Sequence, residues 1–156
     1  LFAAPTTMRA NQIFNTVTGR IKSLDDSFIP LFLQRDLSTQ KLFALVAAMA
    51  YDTLFFDFVY EVIREKIILG TCELSDSDVR VFFKDKQQQN EKVAGWTEAT
   101  LIRLGRCYKT MLYEAGLIDK TNAVRKIFRP ILDPDLQRWL ELNDMNIYIK
   151  ALTGVR

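Results

Sequence analysis

The sequence contains no histidine. That absence removes the commonest general base and the commonest metal ligand together. Only 2 of its 156 residues are cysteine, and Cys72 and Cys107 form no CxxC pair, so neither a zinc site nor a disulfide framework is implied. With no histidine to activate it, Cys107 reads as a buried thiol rather than a nucleophile. The 6 glycines stand isolated along the chain, so no phosphate-cradling loop is present. Prolines number only 4, and scarcity of both residues favours packed helices over loops or strands. No apolar run is long enough to span a membrane and no signal peptide is visible, so a cytoplasmic protein is expected. The acidic pairs Asp25–Asp26 and Asp133–Asp135 fall where helix caps belong, which explains them better than catalysis. No catalytic residue, metal site, cofactor or small-molecule substrate emerges, and the expectation is a protein that is not an enzyme. Opening on Leu1 rather than Met fits a piece of a longer natural product.

What is present is charge of uneven distribution. Residues 1–78 carry 7 Lys/Arg against 10 Asp/Glu, while residues 79–156 carry 14 against 9. The second half therefore suits an anionic partner. Its centre is the stretch Trp96 to Ile118, which reads as one long helix. Thr97 is the expected N-cap, with Glu98 at the positive end of the helix dipole. Gly116 is the expected left-handed residue after the last turn. Leu101, Leu104, Tyr108, Met111, Leu112 and Ala115 recur at three- and four-residue steps and form the inward stripe. Ile102, Arg103, Arg106, Lys109 and Tyr113 lie on the other side.

The rest of the chain reads as further helices. A first helix is predicted over residues 6–22, capped by Thr6 or Thr7. Pro30 is expected to cut off or kink a short turn at Phe28 and Ile29. Ser38 opens the next helix, and Asp52 caps another or marks a bend before Phe55, Phe56, Val59, Val62, Ile63 and Ile67 restart the periodicity. Thr71 to Leu74 read as a connector, dividing the chain into helical subdomains at residues 1–70 and 71–156. Ser75 and Asp78 resemble a capping box for a helix ending near Lys86, followed by a polar loop from Gln87 to Lys92. Beyond Gly116, Leu117–Ile118 and Val124–Ile127–Phe128 flank the tip Asp119 to Ala123 as a short β-hairpin or an extended arm. Asp133–Pro134 starts a helix, and a last one is predicted from Met145 to Leu152.

The fold class is therefore all-α, or mostly α. A helix from Ser75, a loop, a longer helix and a basic hairpin-like segment follow in the order of a winged helix-turn-helix. Binding of duplex DNA needs cations along an exposed face, because neutralised phosphates release condensed counterions. Arg103, Arg106 and Lys109, with Tyr113, supply this on the helix, and Lys120, Arg125, Lys126 and Arg129 on the segment after it. Residues 79–132 hold 11 Lys/Arg against 5 Asp/Glu. A solvated helix face carrying incidental charge is the competing reading of the same residues.

Four segments carry a family resemblance: LFFDFVYEVIREKI (54–67), LSDSDVRVFFKDK (74–86), WTEATLIRLGRCYKTMLYEAGLID (96–119) and IKALTGVR (149–156). In order and spacing they resemble the BrxA family of BREX phage-defence systems. The resemblance implies a helical, non-enzymatic protein that binds DNA beside a methyltransferase, an ATPase and a phosphatase-like subunit. It brings no base-contacting residue with it. Two alternatives remain open: an adaptor whose apolar, acidic N-terminal half docks a larger BREX subunit, and a NusB-like helical factor that binds RNA.

Overall fold

Local capping chemistry sets most of the element boundaries in this structure, a computed structural model that describes residues 6–120 and 123–156. Thr6 accepts from the Arg9 amide to open α1 (Thr7–Lys22). Pro30 does not interrupt α2 (Phe28–Leu33). It falls in the first turn, where the missing N–H has no intrahelical partner to lose. Asp52 both caps and bends: α3 (Leu37–Tyr51) ends there, and its Oδ1 accepts from Leu54 and Phe55 to open α4 (Thr53–Phe58). The chain turns through 113° at this residue. A π-helical turn, Val59–Ile63, leads into α5 (Arg64–Leu69), which Gly70 closes at φ 75°.

The predicted connector contains a strand. β1 (Glu73–Ser75) pairs antiparallel with β2 (Val124–Lys126), in the register Glu73↔Lys126, Leu74↔Arg125, Ser75↔Val124. Ser75 then caps α6 (Asp76–Gln89) in the expected box with Asp78. That helix runs past Lys86 through the glutamines, which are good helix formers, so the predicted polar loop shrinks to Asn90. Asn90 in turn caps the single turn α7 (Glu91–Ala94). The long helix α8 (Glu98–Glu114) starts on Thr97, whose hydroxyl accepts from Thr100 N at 3.2 Å. It ends with Gly116 at φ 83°, Gly116 N donating to Tyr113 O and Leu117 N to Leu112 O. Those two bonds make a Schellman motif.

Part of the predicted tip, residues 121 and 122, lies outside the described residues. Ile118 bridges Ile127, with Asp119 N donating to Lys126 O and Phe128 N to Leu117 O. Asp133 caps α9 (Pro134–Leu142), and α10 (Asn146–Thr153) completes the described elements. The chain is mostly helical, as the sequence predicts, and one two-stranded sheet is present among the described residues.

Most of the buried hydrophobic residues form one cluster running from Leu24 to Leu152. Tyr108 is its aromatic hub, with ring centroids 4.9 Å from Phe55, 5.5 Å from Phe58 and 5.8 Å from Phe83. Gly105 belongs to the inward face of α8, although side-chain hydrophobicity gave it no place there. A Cβ on it would stand 2.9 Å from Val79 Cγ1, so its smallness is what lets α6 approach.

The capping box also yields a pH-dependent prediction. Burial works against the Asp78 carboxylate, but the Ser75 amide, the Lys66 ammonium and the Ser75 hydroxyl outweigh it and hold its pKa below the ordinary 3.8. A depressed folded value means the stabilisation is complete above the unfolded pKa and is lost as pH falls through the folded one. Asp78→Asn should lose about 1 kcal/mol at neutral pH, and the gap from the parent should close well below pH 3.8. Urea titrations on the two sides of that window check it.

Candidate nucleic-acid interface

The inward face of α8 is fixed by Gly105, Tyr108 and Leu112, all buried, with Leu101, Leu104, Met111 and Ala115 partly buried beside them. A helix anchored along that stripe must present its remaining positions outward. Arg103 and Arg106 are both exposed, and neither forms an ion pair among the described residues. Cys107 shares that exposed side, contrary to the buried thiol expected for it. It lies one step off the apolar stripe, on the side of α8 that faces solvent.

Lys109 differs from the two arginines. Its Nζ sits 2.8 Å from Asp76 Oδ1 at the start of α6, and its side chain is only 15% exposed. The Asp76 carboxylate is held below its usual pKa, first by the Lys109 hydrogen bond, against some burial, and then by the charges of Lys109, Arg125 and Arg80. One exposed carboxylate thus gathers cations from α8, β2 and α6. Sequence reasoning named neither Asp76 nor Arg80. Their i, i+4 spacing was a readable local signal, whereas the approach of Lys109 depends on contact across 33 residues.

The segment after α8 divides. Lys120 Nζ lies 5.8 Å from the centroid of the half-exposed Tyr113 ring, a cation–π contact that ties Lys120 to the end of the helix. Arg125, half-buried, and Lys126, exposed, are consecutive in β2 and so point to opposite faces of the sheet. Lys126 stands opposite Glu73 across the ladder. Arg129 is exposed just beyond the strand. The structure therefore brings Lys109, Tyr113, Lys120 and Arg125 toward the end of α8, continues the surface through Arg106 and Arg103, and turns Lys126 away from Arg125.

Not every cation counted in the sequence belongs to this surface. Lys86, in the last turn of α6, is buried and bonded to Asp57 at 3.0 Å and Glu61 at 2.7 Å. Burial alone would lower its pKa, but those two carboxylates raise it instead. Its charge is spent inside the fold.

A family model described as BrxA matches residues 1–144. A relative described as BREX protein BrxA, from Bacillus cereus (strain H3081.97), is 36% identical over 154 residues, which is 99% of this chain and 77% of that protein.

Proposed function

The chain belongs to the BrxA family, and from that premise we propose that it is a non-enzymatic, DNA-binding component of a BREX phage-defence system. One observation carries the reading: Arg103 and Arg106 on the outer face of α8 have no carboxylate partner among the described residues, and a two-sided cationic segment follows. The order β1, α6, α7, α8 and β2, with the Ile118–Ile127 bridge between α8 and β2, supports a winged helix-turn-helix, with α8 in the place of the groove helix. Contact is mainly to phosphates, because long cations dominate the surface and few side chains are suited to base edges. A methyltransferase, an ATPase and a phosphatase-like subunit are the proposed companions in the defence system.

Gel shifts with duplex DNA, single strands and RNA at two salt concentrations test this. Duplex binding that weakens steeply with salt supports it, and preference for RNA would favour a NusB-like factor. An adaptor role has its own support in α1, which buries no side chain and leaves Met8, Val17 and Ile21 exposed. An adaptor alone would show almost no retention of DNA at either salt concentration.

Asp76 gives a gain-of-affinity prediction. A phosphate approaching Lys109 competes with this carboxylate, which stays fixed in the binding surface. Asp76→Asn should strengthen duplex binding about tenfold at 0.1 M salt and steepen the log–log salt slope by about one unit, as one more cation becomes available. Filter binding across a salt series measures both changes.

A further inference from the structure

A cleft of about 670 Å³ lies on the inner side of α8, between the Asp52 bend, α4 and the ends of α6 and α7. None of Arg103, Arg106 or Lys109 lines it. At its inner wall is Tyr108, 1% exposed, whose Oη is shielded from solvent and has no hydrogen-bond partner among the described residues. An unpaired hydroxyl in such a place is costly and calls for a partner. Burial first, and then the nearby charges of Asp52, Cys107 and Asp57, push its pKa upward.

The two carboxylates have capacity to spare. Asp52 spends Oδ1 on the amides of Leu54 and Phe55, while Asp57 spends Oδ2 on Lys86. Neither remaining oxygen receives a hydrogen bond among the described residues. Lys86 also bonds Glu61, so one buried ammonium already faces two carboxylates, and Asp52 has no cation of its own among the described residues. Lys92, on the rim, is exposed and pairs with neither. Three residues lining this cleft therefore each keep an acceptor unspent among the described residues: Asp52 Oδ2, Asp57 Oδ1 and Tyr108 Oη.

A guanidinium is the side-chain group with matching chemistry. It offers five donors in a planar fork, accepts nothing and is always charged. The half-buried Trp96 and the exposed Tyr51 also line the cleft, and a guanidinium stacks on such rings. We propose that this cleft receives an arginine side chain of a partner protein, held between Asp52, Asp57 and Tyr108 Oη beside Trp96. The proposal is independent of DNA binding, since it uses a different side of α8.

The test titrates the full chain with the peptide acetyl-Gly-Arg-Gly-amide and with its citrulline counterpart, which has nearly the same shape but no charge. Tryptophan fluorescence and calorimetry report binding. The arginine peptide should saturate the protein and bind at least about tenfold more tightly than the citrulline peptide. Asp52→Asn keeps an N-cap oxygen but removes the charge, and should weaken arginine binding about tenfold. Tyr108→Phe should weaken it several-fold with the fold intact. Equal binding of both peptides, no saturation at concentrations on the order of 10 mM, or undiminished arginine binding by a folded Asp52→Asn variant would each overturn the proposal.

Discussion

Replacing Arg103, Arg106, Lys120 and Arg129 together with alanine should leave a folded chain that has lost about three orders of magnitude in affinity for duplex DNA at 0.1 M salt. The size follows from counterion release. Each phosphate contact contributes about 0.9 to the log–log salt slope, and therefore about 0.9 log unit at 0.1 M relative to 1 M salt. Four lost contacts flatten the slope by three to four units. Stability should barely move, because Arg103, Arg106, Lys120 and Arg129 are exposed and make no ion pair among the described residues. Adding Lys109→Ala should change binding less than any of the four, since Asp76 already holds that ammonium. Salt-series gel shifts on unrelated duplexes, with circular dichroism to verify folding, decide the matter. A folded quadruple variant with the parental slope would sink the phosphate-contact reading and leave the adaptor role in its place.

What was legible in the sequence was local. Thr97, Gly116, Ser75 with Asp78, and Asp133 with Pro134 fix helix ends through side chain to backbone bonds spanning a few residues, and all four are present in the fold. The stripe of α8 was legible for the same reason. Strand β1 was not, because Glu73–Ser75 acquires its conformation from β2, about fifty residues later. Gly105 escaped notice because its role is to have no side chain where Val79 packs. Among the candidate contacts, the exposure of Arg103 and Arg106 followed from helical periodicity. The capture of Lys109 by Asp76, and of Lys86 by Asp57 and Glu61, did not, since each joins segments distant in sequence. Counting cations along a chain overestimates the positive surface by those the fold neutralises.

The same limit makes Tyr108 the most informative single position in the core. Its ring contacts Phe55, Phe58 and Phe83, which come from α4 and α6, so truncation removes the contact surface on which these elements meet α8. Tyr108→Ala should cost roughly 3–5 kcal/mol, in line with loss of a large buried aromatic. Against a typical total of about 5–15 kcal/mol, that is enough to threaten folding at physiological temperature. Tyr108→Phe keeps the ring and deletes only a buried oxygen that has no partner among the described residues. Leaving such a group unsatisfied costs about 1–3 kcal/mol, so the phenylalanine variant should be at least as stable as the parent in urea titrations. A residue retained only for packing has no use for that oxygen, whereas one that closes an arginine site does. The expected signature is therefore a variant whose urea midpoint holds or rises while its binding of the arginine peptide falls. A phenylalanine variant clearly less stable than the parent would mean that the hydroxyl is satisfied within the protein, and the argument for a waiting acceptor would fall with it.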